Sequence, residues 1–414
     1  MSDAPAMTRI AGCRSCGGTH LAPVLALGET PLANALVPPD RLEEPEPRYP
    51  LELVFCRECT LLQLTVSVRP DLMFSTYPYF SSVSDSFTAA AHALAARLVA
   101  ERGLGPGSQV LEVASNDGYL LRGYQALGVP VLGIDPAANV AQAAIDAGVP
   151  TRIAFFGRDL AESLAAEGIA ADVIHANNVL AHVPDLNGVV AGMKRLLKPG
   201  GTCVIEVPYA RDFIEKCEFD TIYHEHLCYF SGSALAALFA RHELVLADVE
   251  TTPFHGGTLR AFAAHAGTAP SAAAQALLDE ERRLGMTREP YYADFAARVE
   301  RLTATLSRVL RDLKAGGARI AAYGASAKGA TLLNYAGLGR DVIDFIADRA
   351  PAKLGLHGPG TKLPIVPPER LLEAMPDYTL LLTWNFAEEI LAQQAAYRAA
   401  GGRFVIPVPE VRIV

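Results

Sequence analysis

The sequence predicts an α/β protein in three parts: a small cysteine-stapled module, a mostly parallel sheet covered by helices on both faces, and a second, smaller sheet of the same kind. Three observations predict it. Four of the seven cysteines form two CxxC pairs near the start, short apolar strands alternate with helical stretches from about residue 87, and that alternation restarts near residue 318. Strands separated by helix-length segments pair in parallel, because a crossover helix carries the chain back over the sheet. At 414 residues the chain has room for several domains of roughly 100–200 residues each.

Composition narrows the function classes. Half of the residues are hydrophobic and 20% are charged, which suits a folded chain rather than a disordered one. Lys and Arg number 36 against 45 Asp and Glu, a net charge of -9. This balance argues against sequence-independent binding to nucleic acid or to an anionic membrane, while leaving a local basic pocket for phosphate open. Mean hydropathy is positive, yet apolar runs such as 89–100 are broken by His or Arg, short of the roughly 18 residues a spanning helix needs. The opening MSDAPAMTRIAGC lacks the apolar segment of a secretory signal. A cytoplasmic location and no membrane partner are expected.

Residues 1–80 are rich in Pro and Cys, with short apolar runs, as in strands and turns held by a staple. The pairs are Cys13-Arg-Ser-Cys16 and Cys56-Arg-Glu-Cys59. Two residues between ligands let a tight turn bring both thiolates to one ion, and two such turns complete a tetrahedral sulfur site suited to Zn2+. With all four positions filled by protein, the zinc should be structural. A redox dithiol is the rival reading, although neither pair sits in an obvious βαβ setting. Cys203, Cys217 and Cys228 read as packing residues.

Residues 81–267 carry strands at QVLEV (109–113), VLGID (131–135), near TRIAF, at DVIHA (172–176) and at GTCVIEV (201–207). The first runs into Ala114-Ser115-Asn116-Asp117-Gly118, with a helix starting near Tyr119. A small-residue turn at the carboxyl end of a parallel strand lets a ligand approach the backbone, and the helix start offers unpaired N–H groups. Only Gly118 is present, so this is not the GxGxxG cradle of dinucleotide enzymes. The second strand ends in Ile134-Asp135-Pro136, where an acid can accept both ribose hydroxyls. Glu112, inside the first strand, needs a polar partner if it is buried. Glu112, Ser115, Asn116, Gly118, Asp135 and Pro136 are therefore candidate cofactor residues. An acid in strand one, a small-residue turn and an acid ending strand two resemble the class I (Rossmann-like) S-adenosylmethionine methyltransferase pattern; another adenosine cofactor on a similar sheet is the alternative. On the methyltransferase reading Phe155 and Phe156 flank the adenine, and Asn177 and Asn178 line the methionine end.

Between the fifth strand and the next helix lies FDTIYHEHLCYFS (219–231). Two histidines, a carboxylate and a phenol within four residues are costly to bury without partners, so they should face a cavity. General acid–base work fits, because His titrates near neutral pH and a neighbouring Glu can orient or stabilise its charge. An HxH metal pair lacks a third ligand of obvious spacing, and the flanking aromatics argue against a merely solvated loop.

Residues 268–414 open with a helical connector and continue with strands at ARIAAYG (318–324), VIDFIAD (342–348), YTLLLT (378–383) and RFVIPV (403–408). The turn after the first of these opens onto a helix carrying Lys328, so that N–H groups and an ammonium face one point, which suits a diphosphate. Asn334 and Lys353 are further candidates of the same sort.

Taken together, the cysteine module, Tyr77-Pro-Tyr79-Phe-Ser-Ser82, SNDGYLL, NNVLAHVPDL, FDTIYHEH, His255-Gly-Gly-Thr-Leu-Arg260, Tyr323-Gly-Ala-Ser-Ala-Lys328 and Pro359-Gly-Thr361 resemble the nucleotide-diphosphate-hexose 3-C-methyltransferases of deoxysugar biosynthesis, which serve antibiotic pathways. The resemblance spans nearly the whole chain; Ser326-Ala327 departs from it, Pro or Gly types being expected there. It implies S-adenosylmethionine and structural Zn2+ as cofactors and a C-terminal α/β Rossmann-like domain that helps hold the nucleotide-sugar; a monomer is expected, although the sequence itself does not give the oligomeric state. It also implies that His226 is the base, that Glu225 orients it or a substrate hydroxyl or amine, and that Tyr223 donates to the developing enolate oxygen. His182 would be a second active-site histidine and Tyr77 would close over the transfer site, with Tyr79, Ser82, His224, His255, Arg260, Tyr323 and Ser326 around the substrate. The chemistry is coherent: carbon becomes nucleophilic only beside a carbonyl, so the substrate is a 4-keto-6-deoxy sugar whose C3 proton is removed before the enolate attacks the sulfonium methyl. An O- or N-methyltransferase, or a non-catalytic binding module, would not need so rich a loop.

Overall fold

The computed structural model describes residues 5–74, 80–83, 85–252 and 257–414. Its central sheet is built from β1 Val110–Val113, β2 Val131–Asp135, β3 Thr151–Ile153, β4 Ala171–Asn177, β5 Leu197–Pro208, β6 Leu244–Thr252 and β7 Thr258–His265. These lie in the order β6-β7-β5-β4-β1-β2-β3. β1 to β5 are parallel, and β7 runs antiparallel to both β5 and β6. Every residue of β1 is buried, as expected of a strand covered on both faces. The strand order reverses between β1 and β4, so a crevice opens at their carboxyl ends.

The five parallel strands fall where the alternation predicts them, whereas β6 and β7 were not foreseen. Their sequences carry Glu250 and Arg260, which break an apolar pattern. In the fold these charges meet: Arg260 donates to Glu206 and to Glu250, each at 2.7 Å, and Arg97 donates to Glu250 at 2.9 Å.

Near the N-terminus Leu21–Pro31, Arg48–Cys56 and Leu62–Leu64 form an antiparallel sheet. Its fourth strand is Cys228–Tyr229, supplied by the chain just beyond His226. The C-terminal sheet is ordered Ile365–Val366, Ile346–Ala347, Ile320–Tyr323, Tyr378–Leu381, Arg403–Ile406 and Arg412–Ile413, all parallel except the last. The strand expected over 342–348 shortens to Ile346–Ala347, because Val342 and Ile343 close a turn onto the Gly339 carbonyl at 3.0 and 2.9 Å.

The connector consists of helices Ala272–Leu284 and Phe295–Ala315. The first begins at Ser271, whose hydroxyl accepts the Ala274 N–H, and stops at Gly285, which adopts φ 84°. That left-handed conformation is one that glycine reaches without steric cost. Among the described residues no helix is long and apolar enough to cross a membrane.

Candidate active site and metal centre

The four sulfurs of Cys13, Cys16, Cys56 and Cys59 lie within 4.8 Å of one another, with Cys13–Cys59 and Cys16–Cys56 at 3.5 Å. A Zn–S distance of about 2.3 Å places tetrahedral sulfurs about 3.8 Å apart, so the donor set fits Zn2+ and leaves no open position. The two turns repeat one geometry: Gly17 and Thr60 N–H groups donate to the Cys13 and Cys56 carbonyls at 2.8 and 2.9 Å. Ser15 and Gly18 N–H groups point at the Cys13 and Cys16 sulfurs, each at 3.4 Å. Cys203, Cys217 and Cys228 are buried, and burial pushes the Cys203 and Cys228 thiols up to about 12, which keeps them protonated.

At the crevice, Ala114 (φ 53°), Asn116 (φ 51°) and Gly118 (φ 75°) all adopt the left-handed region in one short turn. Each non-glycine case costs of order 1–3 kcal/mol and persists only where the surroundings impose it. Here they do. Asp135, at the end of β2, accepts the N–H of Asn116 at 2.9 Å and of Ala137 at 2.8 Å. The Asn116 side-chain oxygen accepts N–H groups of Ser81 and Asp117 at 2.9 and 3.0 Å. Gly118 has a packing reason too, since a Cβ there would stand 2.8 Å from Val149.

Around this turn Glu112 Oε2, Ser115 Oγ, Asp117 Oδ1 and Asn177 Oδ1 are buried without a hydrogen-bond partner among the described residues. Glu112 is pushed well above the usual carboxylate range by burial, and then by Asp135, Asp117 and Glu206. Burial likewise raises Asp135, against the pull of its two N–H donors. A pocket of unsatisfied acceptors and crowded acids fits a cationic ligand rich in O–H and N–H donors, which describes S-adenosylmethionine. Phe156 packs against the core, while Phe155 is 65% exposed at the crevice side. Asp135→Ala is expected to weaken cofactor binding about tenfold to a hundredfold, the loss of charge-assisted bonds worth about 1.5–3 kcal/mol. Titration calorimetry checks this, and unchanged affinity would remove Asp135 from the site.

The loop after β5 brings the candidate acid–base residues together. His226 donates from Nδ1 to the Thr221 carbonyl at 2.9 Å, and its Nε2 lies 2.7 Å from the Tyr223 hydroxyl. A carbonyl can only accept, so in the neutral imidazole Nδ1 carries the proton and Nε2 presents a lone pair to the tyrosine O–H. His182, in the turn after β4, stands edge-on to His226 with ring centres 4.8 Å apart. Burial pushes His182 down to about 4, against a hydrogen bond to the Glu225 backbone, so it is neutral near pH 7.

Glu225 is buried and accepts the Asn34 side-chain N–H at 2.7 Å. Burial raises it to about 7 from the ordinary 4.5, with Asn34 pulling the other way. The folded protein thus holds this proton more tightly than the unfolded chain. The resulting stability is complete below the ordinary value and lost as pH rises through about 7. Glu225→Gln is therefore expected to raise the melting temperature at pH 8 and leave it almost unchanged at pH 5; equal shifts at both would contradict the assignment.

Most of the expected substrate contacts have partners within the protein. His224 points away from His226 and reaches the Tyr49 and Pro50 carbonyls of the N-terminal sheet at 3.3 and 3.2 Å, which also removes any HxH metal pair. The Ser82 hydroxyl donates to Asp117. Ser326 caps helix Ala327–Ala336 by accepting the Gly329 N–H. Asn334 donates to the Ala330 and Pro359 carbonyls at 2.8 and 3.0 Å. Lys353 donates to the Ala325 carbonyl at 2.8 Å. Lys328, expected to face a diphosphate, lies 4.9 Å above the Trp384 ring, and its charge draws down Glu218 and Asp220. Arg260 is held by its two glutamates. Tyr323 is buried at the carboxyl end of its strand, and Tyr77, Tyr79 and His255 lie outside the described residues.

Two functional candidates escaped the sequence reading. Asn34 sits in PLANAL, a stretch with no pattern to mark it. Asp348 did have a signal, an acid ending the second strand of its sheet, as Asp135 does. It accepts the N–H groups of Ala325 and Ala350, both at 2.7 Å, repeating the Asp135 arrangement in the C-terminal sheet.

Known proteins match along the same lines. Family models match a zinc binding domain at residues 13–74, a methyltransferase domain at 86–249 and a C-methyltransferase C-terminal domain at 253–409. C-methyltransferase NovU from Streptomyces niveus is 38% identical over 97% of this chain and 96% of its own length. A ubiquinone biosynthesis O-methyltransferase from Xanthomonas oryzae is 34% identical, but over 23% of this chain and 41% of that protein. Among solved structures, magnesium protoporphyrin IX methyltransferase ChlM from Synechocystis with bound SAM aligns at 16% identity and a TM-score of 0.33, covering 43% of this chain and 79% of that one. CcbJ methyltransferase from Streptomyces caelestis aligns at 13% and 0.35, covering 48% and 97%. The near full-length match to NovU is decisive where the structural alignments are too weak to argue from: this chain belongs to the SAM-dependent C-methyltransferases that join a zinc-binding module, a class I methyltransferase domain and a C-terminal α/β domain.

Proposed function

We propose that the enzyme methylates C3 of a nucleotide-linked 4-keto-6-deoxy sugar, with His226 removing the C3 proton. The observation that carries this reading is the His226 tautomer: Nδ1 is committed to the Thr221 carbonyl, so the lone pair is on Nε2, beside Tyr223. A half-buried imidazole poised in this way can act as a general base. For Nε2 to take a proton, the Tyr223 hydroxyl has to turn away, and its new acceptor is the substrate oxygen on which enolate charge develops. Neutral His182 packs against the base, and Glu225, held by Asn34, faces the sugar hydroxyl or amine. The C3 electron pair then forms the new carbon–carbon bond. S-adenosylmethionine, when bound, supplies the methyl group.

Functional units of 1–80, 81–267 and 268–414 follow from this division, with the last holding the nucleotide. Asp348 supports that role, because it rigidifies the turn after Tyr323 as Asp135 rigidifies the cofactor turn. The setting we infer is cytoplasmic deoxysugar assembly of the kind that feeds antibiotics. The test is to incubate enzyme, carbon-13-methyl S-adenosylmethionine and a panel of nucleotide-linked keto sugars, then locate the methyl by NMR. A methyl on C3, adjacent to the ketone, is expected; a methyl on oxygen or nitrogen would overturn the carbon reading.

A further inference from the structure

The residues on either side of the carbonyl that receives His226 are held from the C-terminal domain. Thr221 ends the single helical turn Phe219–Thr221. On one side of it the fully buried Asp220 carboxylate accepts the Trp384 indole N–H at 2.6 Å. On the other side the Ile222 carbonyl accepts the Thr331 hydroxyl at 3.0 Å. Trp384 follows strand Tyr378–Leu381, and Thr331 lies on helix Ala327–Ala336, so both donors belong to the C-terminal sheet and its helices. Thr221 is thus flanked by two hydrogen bonds from one domain while its own carbonyl receives His226, and Tyr229 at 3.3 Å.

A turn can form without a buried acid, and a carboxylate placed in a dry interior is costly unless it is paired. Asp220 is matched on one side: Oδ2 accepts the indole N–H, while Oδ1 is buried without a hydrogen-bond partner among the described residues. Burial raises it, while Lys328 and then the indole N–H draw it back. The same Lys328 lies over the indole ring at 4.9 Å, and the neighbouring acid, Glu218, is raised by burial to about 7 and drawn down by Lys328. Trp384 is therefore gripped on its face by a cation and at its edge by a carboxyl oxygen.

We infer that Trp384, assisted by Thr331, is a positioning residue for the His226 base. The C-terminal domain sets the orientation and tautomer of a residue in the central domain. The inference rests on His226 being the base. It concerns how that base is presented and adds no group that touches substrate.

The test compares Trp384→Phe, which keeps an aromatic ring under Lys328 but removes the N–H, with Thr331→Val, which removes the hydroxyl at similar volume. Both should lower kcat, and the rate of substrate α-proton exchange with deuterated solvent, about tenfold to a hundredfold, the range that misplacement of a reacting group produces. KM for the nucleotide sugar and Kd for S-adenosylmethionine should stay within about twofold. Nitrogen-15 NMR of the histidines should show an Nε2–H form of His226 that the unaltered enzyme lacks. Asp220→Asn, whose side-chain oxygen can still accept the indole proton, should retain more activity than Trp384→Phe. Unchanged kcat and an unchanged His226 spectrum in folded Trp384→Phe would overturn the inference, as would a loss shared equally by kcat, KM and cofactor Kd. If Trp384→Phe does not fold, Thr331→Val is read by the same criteria. Proton exchange that survives in His226→Asn would refute the base assignment instead, so the two failures are distinguishable.

Discussion

His226→Asn is expected to abolish both methyl transfer and exchange of the C3 hydrogen with deuterated solvent, while S-adenosylmethionine still binds. Asparagine keeps a side-chain N–H that can reach the Thr221 carbonyl, so the loop retains its internal hydrogen bond and only the lone pair at Nε2 is lost. Removing a general base costs on the order of a hundredfold or more in rate. Following deuterium incorporation by NMR separates proton removal from methyl transfer, which activity alone cannot do. Exchange at the normal rate would move the role to Glu225 or His182. His224 is poorly placed to inherit it, because its Nε2 is turned toward the N-terminal sheet.

Loss of zinc is expected to be more damaging still, and in a different way. Structural zinc contributes about 10–16 kcal/mol of apparent binding energy to the folding of small zinc-finger peptides. Cys56→Ser, or prolonged chelation, should therefore reduce folded yield and melting temperature rather than selectively reduce turnover. Elemental analysis should find one zinc per chain; iron, or a folded metal-free protein, would contradict the assignment. Activity should fall in step with the folded fraction, because the metal module also supplies Asn34 to Glu225.

The parts legible in the sequence share a property: their signals are local. CxxC spacing, a small-residue turn between an apolar strand and a helix, and an acid ending the next strand are each read within a few residues, and the Cys cluster, β1 and Asp135 stand where those signals put them. What was missed depends on partners far away in the chain. β7 was not foreseen, and the Arg260 within it finds its partners Glu206 and Glu250 only in the fold. Nothing near Lys328 in sequence announced its place over Trp384, and Asn34 acquires meaning only from a carboxylate 191 residues away. His224 and His226 illustrate the limit most directly: identical side chains two positions apart face different domains.

The strand Cys228–Tyr229 completes the sheet of the metal module, while the turn immediately before the histidines is fastened to Trp384 and Thr331. This has a consequence for how such enzymes diversify. A recombination event that exchanged the N-terminal module between two relatives would import a sheet but leave its edge strand behind. A crossover before the C-terminal domain would part an indole from the acid that has grown to fit it. Hybrid genes joined at domain borders should accordingly give insoluble or inactive products unless the segment from Phe219 to Tyr229 is recoded to suit both neighbours. New substrate preferences in this lineage are then expected to arise by substitution within an intact gene rather than by shuffling of its modules.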